Sequence, residues 1–184
     1  MVKQQEIVYA TFAQIEEAID HRNEQLMEEI SGLKTLEKRT LYVGNDEKFP
    51  RGCKSCLLGT GLNAIRKTNK CNIECKFCYN YGELNQIPPV GEGMWEIGGT
   101  KFYEKDIDLL LSVYRKPTGV SYVYLEPFME IEKYYSIIRR FKEAKVYQHL
   151  YTNGLLATEE TLKALGEAGL DEIRFNLGAA NCAD

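Results

Sequence analysis

Histidine is scarce in this chain, with only His21 and His149 among 184 residues. His21 sits in a polar segment and reads as a solvated surface residue; His149 sits among apolar and aromatic neighbours and reads as a satisfied structural side chain. Long apolar runs are missing too. No stretch approaches the roughly eighteen residues that a membrane-spanning helix needs. The first nine residues include Lys3, Gln4, Gln5 and Glu6, so the uninterrupted apolar segment of a secretory signal is lacking and a cytoplasmic protein is expected. There is no Lys/Arg block, and 23 basic residues stand against 27 acidic ones. An electrostatic grip on nucleic acid or on an anionic membrane is therefore not expected.

What is present is an ordinary soluble composition, 44% hydrophobic and 27% charged, enough for one or at most two domains with a real core. Six cysteines in a reducing compartment point to metal ligands, catalytic groups or buried thiols rather than a disulfide framework.

Thr11 and Gln14 form a Thr-x-x-Gln capping box, followed by Phe12, Ile15, Ile19, Leu26, Met27 and Ile30 at helical spacing. An N-terminal amphipathic helix stopped near Gly32 is expected, packing on the main domain. From Lys34 to Leu62 the pattern breaks down around Cys53-Lys54-Ser55-Cys56, which reads as a loop region. Residues 1–62 are thus taken as a helix plus a cysteine-containing loop, and residues 63–184 as the core.

Within that core, helical patterns alternate with short apolar runs. Residues 107–114, 131–141 and 158–168 read as helices; residues 120–125, 146–151 and 172–177 read as strands. Residues 63–69 are placed as a further strand by context, because Arg66 and Lys67 fit a buried parallel strand poorly. This alternation predicts an α/β fold of βα units with parallel strands and outer helices. The strands end in Glu126-Pro127, in Thr152-Asn153-Gly154 and near Asn176, and ligands of βα architectures bind at that end. Glycines 91, 93, 98 and 99 around Trp95 lack a phosphate-loop context and read as a flexible excursion, a lid. The twelve tyrosines, Tyr79, Tyr81, Tyr134 and Tyr135 among them, read as packing residues.

The densest chemistry is in residues 71–78, CNIECKFC, where Cys71, Cys75 and Cys78 are separated by gaps of three and two residues. Such a loop can wrap a small inorganic core. A structural zinc site wants a fourth ligand, and Cys53 and Cys56 could join to make a ribbon-like zinc knot. A four-iron cluster on three thiolates instead leaves one iron open for a substrate or cofactor.

The pattern Cys-x-x-x-Cys-x-Phe-Cys, followed by Tyr79, resembles the signature of the radical S-adenosylmethionine superfamily. That resemblance implies a partial (βα) barrel. It implies a 4Fe-4S cluster on Cys71, Cys75 and Cys78, and reductive cleavage of S-adenosylmethionine to a 5'-deoxyadenosyl radical that abstracts hydrogen from a substrate. Phe77 would flank the adenine. Tyr124-Leu125-Glu126-Pro127 occupies the place of the family's Gly-Gly-Glu-Pro, so Glu126 would receive the methionyl ammonium. Asn153 and Asn176 resemble polar positions around the ribose and carboxylate. Apart from that resemblance, Cys53 and Cys56, with Cys182, read as an auxiliary zinc or iron-sulfur site, with a redox dithiol or two unligated thiols as the alternatives.

The resemblance runs over roughly residues 63 to 178 and about four βα units are counted, against the roughly six usual for the family. The expectation is an incomplete barrel, either the N-terminal part of an oxygen-sensitive enzyme or a chain whose barrel a partner completes. An electron donor such as flavodoxin or ferredoxin is implied. A non-catalytic zinc-stabilised binding module and a cluster-binding subunit that needs a partner chain are the alternatives, and the substrate is left open.

Overall fold

The computed structural model describes residues 10–37, 40–44, 49–78, 86–113 and 117–176. Tyr79, Tyr81 and Cys182, named above, lie outside the described residues. The chain divides into two compact units, residues 1–49 and 50–184.

The first unit holds α1 (Phe12–Glu29) and a short antiparallel hairpin of β1 (Lys34–Leu36) and β2 (Thr40–Tyr42). The capping box forms as the sequence suggests. The Thr11 hydroxyl accepts from the Gln14 backbone N–H at 3.3 Å, and the Gln14 side chain accepts from the Thr11 N–H at 2.8 Å, satisfying donors that a helix start leaves orphaned.

In the second unit the cysteine pair read as loop is helical: α2 spans Arg51–Leu57. Pro50 precedes it with φ −56°, pre-set for helix entry, and its carbonyl accepts the first helical bond from Lys54 at 3.1 Å. Residues 51–57 are therefore more ordered than the surrounding glycines and proline suggested.

A six-stranded sheet follows, in the order β5-β4-β3-β6-β7-β8. The strands β3 (Gly61–Arg66), β6 (Gly119–Tyr122), β7 (Tyr147–Thr152) and β8 (Glu172–Phe175) run parallel, as the alternation predicts. β4 (Met94–Ile97) and β5 (Thr100–Tyr103) form an antiparallel hairpin on the β3 edge. The expected lid is thus partly a pair of strands. Ile97 pairs with Thr100, leaving Gly98 (φ 52°) and Gly99 (φ 87°) as a two-residue turn; both need the left-handed backbone that glycine adopts at little cost.

That hairpin also explains how β3 tolerates its charges. Arg66 is buried, and it donates from Nε and Nη2 to the two Glu96 oxygens of β4 at 2.8 and 2.7 Å. Lys67 places its Nζ over the Trp95 ring and donates to the Gly91 carbonyl, while burial lowers its pKa. A bidentate, buried pair of this kind fixes register, since removing either partner strands the other charge.

The helices α3 (Ile107–Val113), α4 (Tyr135–Glu143) and α5 (Glu159–Ala168) occur near the positions read from the sequence. A 3-10 segment, Pro127–Tyr134, leads into α4. Side chains alternate across β7, so Gln148 and Leu150 meet α4 and α5 while Tyr147 and His149 meet α2. Gln148 donates to the carbonyls of Ile138 and Gly169 and accepts from the Tyr122 hydroxyl at 2.7 Å, so this buried amide is satisfied. Trp95, Tyr122 and Tyr134 stack edge-to-face at 5.3 and 5.8 Å in the core. On the other face a Cβ added to Gly52 would lie 2.5 Å from His149 Nδ1, so only glycine lets α2 sit this close to β7.

His149 departs from the expectation of a satisfied residue. It is buried, and its Nδ1 has no hydrogen-bond partner. The reason is its surroundings: two tyrosine rings on β7 and the bare Gly52 backbone face give it packing and no acceptor, and burial lowers its pKa.

Candidate functional site

The C-terminal ends of β6, β7 and β8 and the loop after β3 converge on a cavity of about 520 Å³, within the range of small-molecule sites. Cys71, Cys75 and Cys78 line it, together with Phe77, Asn153 and Asn176. Glu126 lines it as well. The structure therefore brings the three loop cysteines and the four other residues singled out for cofactor contact to one place. Cys53 and Cys56 on α2 are not part of its lining.

The loop is held from several sides. The Thr68 hydroxyl accepts from the Lys70 N–H, and the Tyr134 hydroxyl accepts from the Lys67 N–H. The Lys70 carbonyl accepts from the Glu126 N–H at 3.1 Å, tying the loop to the end of β6. A tight turn, Cys78 N–H to Cys75 carbonyl at 2.9 Å, then brings the last two cysteines together. Burial, with the adjacent Cys78 and Cys71, pushes the Cys75 thiol up. None of the five described cysteines is in a disulfide.

Glu126 has a different standing from the one its motif suggests. It is 1% exposed. Its Oε1 accepts from the Thr152 hydroxyl at 2.7 Å and from the Phe128 N–H at 3.0 Å, and its Oε2 accepts from the Asn153 N–H at 2.8 Å. A carboxylate held by three donors welds the end of β6 to the end of β7 and caps the 3-10 segment behind it. The side-chain amide of Asn153 donates to Asn72 Oδ1 at 2.8 Å, a second tie to the cysteine loop, and its own Oδ1 accepts from Leu155. The Asn176 N–H donates to the Thr152 carbonyl, continuing the β7–β8 ladder to the cavity rim. Phe77 is 65% exposed, a large apolar side chain left facing solvent beside the thiols.

Tyr124 and Leu125 carry the largest backbone anomaly. The sequence pattern puts them at the end of a strand, but β6 stops at Tyr122, and the two residues have φ of 75° and 59°. Bulky L-residues in this region cost about 1–3 kcal/mol each and occur where the surroundings over-determine them. The chain keeps, without glycines, the left-handed turn that two glycines would adopt freely, and Leu125 reaches the cavity.

Thr152, Asn72 and Arg174 are site residues that motif reading missed. Thr152 is fully covered and orients Glu126; only its place at a strand end could have flagged it. On α2, the Cys56 thiol donates to Asn63 Oδ1 at 3.2 Å and Cys53 lies against the Arg174 guanidinium. Among the described residues no three Cys, His, Asp or Glu side chains close on a point as a single-ion cage, at α2 or elsewhere. No helix among them is long and apolar enough to cross a membrane.

A Methanocaldococcus jannaschii protein provisionally described as a glycyl-radical enzyme activating enzyme is 28% identical over 134 residues, which is 72% of this chain and 34% of the relative. An uncharacterised protein of the same organism is 28% identical over 142 residues, 72% of this chain and 42% of the relative. The chain thus spans well under half the length of these curated relatives. The crystal structure of BtrN in an open conformation is 20% identical, with a TM-score of 0.49, over 65% of this chain and 51% of that one. The family model of the Radical SAM superfamily matches residues 65–181, more than half of the chain and the whole of the cysteine loop and of strands β6, β7 and β8 described above, and the chain belongs to that superfamily.

Proposed function

We propose that this chain forms the cofactor-binding part of a radical S-adenosylmethionine enzyme, with Cys71, Cys75 and Cys78 as the thiolate ligands of a 4Fe-4S cluster. The observation that carries this reading is that all three thiols line one cavity at the strand ends. Three thiolates can hold a four-iron cluster while one iron stays open. When bound, the cluster supplies the electron that cleaves S-adenosylmethionine to a 5'-deoxyadenosyl radical able to abstract hydrogen from a substrate.

The chain's own residues bind, orient and exclude water. The exposed Phe77 ring offers a surface on which an adenine would stack, becoming covered as it does so. Asn153 and Asn176 supply polar groups at the rim for the ribose and carboxylate. Because protein donors already engage both Glu126 oxygens, that carboxylate favours the methionyl ammonium as a fixed negative charge behind a shaped turn. An ammonium replacing one of those donors is the finer contact, and an Asp or Gln exchange at Glu126 separates charge from shape. Cys53 and Cys56 are read as an auxiliary metal or cluster site that would need further ligands, including Cys182. A flavodoxin or ferredoxin is the reading for the electron donor.

The decisive experiment is anaerobic reconstitution with iron and sulfide, followed by metal analysis and visible absorption with and without S-adenosylmethionine. About four irons per chain and a spectrum perturbed by S-adenosylmethionine support the proposal. Zinc alone, with no broad iron-sulfur absorption, would replace it with a zinc-stabilised module. The first relative's description makes a glycine residue of a partner polypeptide one substrate to try. Appearance of a backbone glycyl radical on such a partner in electron paramagnetic resonance, with 5'-deoxyadenosine released in step, after anaerobic incubation with the reduced reconstituted chain and S-adenosylmethionine, is the assay.

A further inference from the structure

Cys53 and Cys56 stand three residues apart on α2, yet they do not seat that helix on the sheet. Gly52 and Ser55 do. Gly52 lies against His149 and Tyr147; the Ser55 hydroxyl accepts from the Thr118 hydroxyl at 3.1 Å and sits 2.5 Å from where a Cβ on Gly119 would fall. The two thiols are left at the side of this contact. Cys53 is half-buried beside the Arg174 guanidinium, and Cys56 is exposed, its thiol donating to Asn63 Oδ1 at 3.2 Å.

The spacing suits a bond between them. Cα atoms three residues apart on an α-helix are about 5 Å from each other, inside the range of roughly 4.4–6.8 Å that a disulfide spans. The Cβ atoms start farther apart than a disulfide wants, so the turn between them must tighten. That turn is the last one of α2, which ends at Leu57, and the Gly52 contact lies outside it. The charges suit it too. α2 carries Arg51 and Lys54 and no acidic residue, while Arg174, held by Glu172 at Nε and by the Tyr151 hydroxyl at Nη1, meets Cys53 from β8. Partly exposed thiols amid positive charge are the reactive kind, whereas thiols buried among apolar side chains are inert.

We propose that Cys53 and Cys56 are a reversible dithiol–disulfide couple that exchanges two electrons with an external disulfide. The exposed Cys56 sulfur bonds to one sulfur of that disulfide, its S–S bond breaks, and the released thiolate takes up the Cys56 proton. Cys53 then attacks the Cys56 sulfur of the mixed disulfide. The second half leaves as a thiol carrying the Cys53 proton, and the pair has lost two electrons to the external disulfide. An external dithiol reverses both steps, and Arg174 pairs with the Cys53 thiolate as it departs. This goes beyond the auxiliary-metal reading of the same pair, which needs ligands outside the described residues, and it does not rest on the loop cluster.

Lys54 makes the test specific. Trypsin cuts after Arg51, Lys54 and Arg66, placing Cys53 on residues 52–54 and Cys56 on residues 55–66, so a Cys53–Cys56 disulfide joins two peptides of its own. The anaerobically reconstituted chain is equilibrated with graded ratios of oxidised to reduced glutathione, quenched in acid, alkylated, digested and weighed by mass spectrometry. The joined peptides should rise with the ratio from absent to dominant and vanish after dithiothreitol. In Cys53→Ser, glutathione should stay trapped on the 55–66 peptide. In Arg174→Gln, reopening by dithiothreitol should slow about tenfold. Absence of the joined peptides at every ratio overturns the proposal, and so does a disulfide from either residue to any other cysteine. Zinc, or about eight irons per chain, with both thiols protected from alkylation also overturns it, in favour of the auxiliary metal site. The same titration of the chain without iron reads the pair by its own peptides, so failure of the loop cluster is seen separately.

Discussion

Two groups of cysteines stand a short distance apart in the sequence and meet opposite fates. Cys53 and Cys56 sit in a regular helix pressed on the sheet, and their neighbours are protein side chains, Arg174 and Asn63. Cys71, Cys75 and Cys78 sit in an irregular loop tied down at its backbone, and their side chains face a cavity. Backbone regularity decides the difference. In a helix, side chains at i and i+3 are dealt to one face and meet whatever that face reaches, here Arg174 and Asn63, with Cys53 half-buried and Cys56 exposed. A loop fixed through its carbonyls and N–H groups can instead bring three half-buried thiols to one cavity.

The sharpest way to break this comparison is to exchange serine or alanine for each cysteine. Cys75→Ala should abolish assembly of the loop cluster, whereas Cys53→Ala should leave about four irons per chain; a Cys75→Ala protein with full iron and sulfide would erase the distinction. Next in size is the scaffold shared by both regions. Arg66→Met strands Glu96 in the sheet and should cost about 3–5 kcal/mol in denaturant unfolding, far more than the double change that removes both charges. Glu126→Ala leaves the Thr152 hydroxyl and the N–H groups of Phe128 and Asn153 without their acceptor. A loss of about 2–3 kcal/mol is expected, with iron uptake reduced because the ends of β6 and β7, which carry the loop's ties to Glu126 and Asn153, are no longer joined. Asn153→Ala cuts the tie to Asn72 and should cost about 1 kcal/mol, with weaker retention of iron under a chelator.

A separate test of the loop's anchor is in acid. Burial opposes ionisation of Glu130, but hydrogen bonds from Lys133, Thr68 and Lys70 outweigh it and hold its carboxyl down at about 2. A folded-state pKa below the unfolded value contributes stability that is present above the ordinary carboxylate range and lost as pH falls toward 2. Lys70 immediately precedes Cys71, so stability of the wild type should fall faster than that of Glu130→Gln between about pH 4.5 and 2. Parallel curves for the two proteins would show that this anchor adds nothing to the loop.

The cysteine spacing and the alternation of helix and strand were legible because each is written in local periodicity: thiols within one loop, apolar residues at helical or strand intervals. The polar strand ends were legible for the same reason. The β4–β5 hairpin has a local sign, Gly98-Gly99 between MWEI and TKFY, but four glycines within nine residues point equally to looseness and mask the tight turn. Arg66 looked wrong for a buried strand until its partner thirty residues away, Glu96, came into place; such pairing is a tertiary fact. Arg174 and Thr152 were hidden likewise, since their meaning depends on what β7 and β8 bring beside them. Nothing local marks Tyr124 and Leu125 as left-handed.

Those two residues set a condition on chirality. Wherever an L-residue is driven to positive φ, its mirror image occupies the same backbone without the clash between Cβ and carbonyl. A chain assembled with D-tyrosine at 124 and D-leucine at 125 should therefore fold at least as stably as the natural one, although such an exchange destroys most structured positions. At the mouth of the cavity, handedness and not size is what the fold works against.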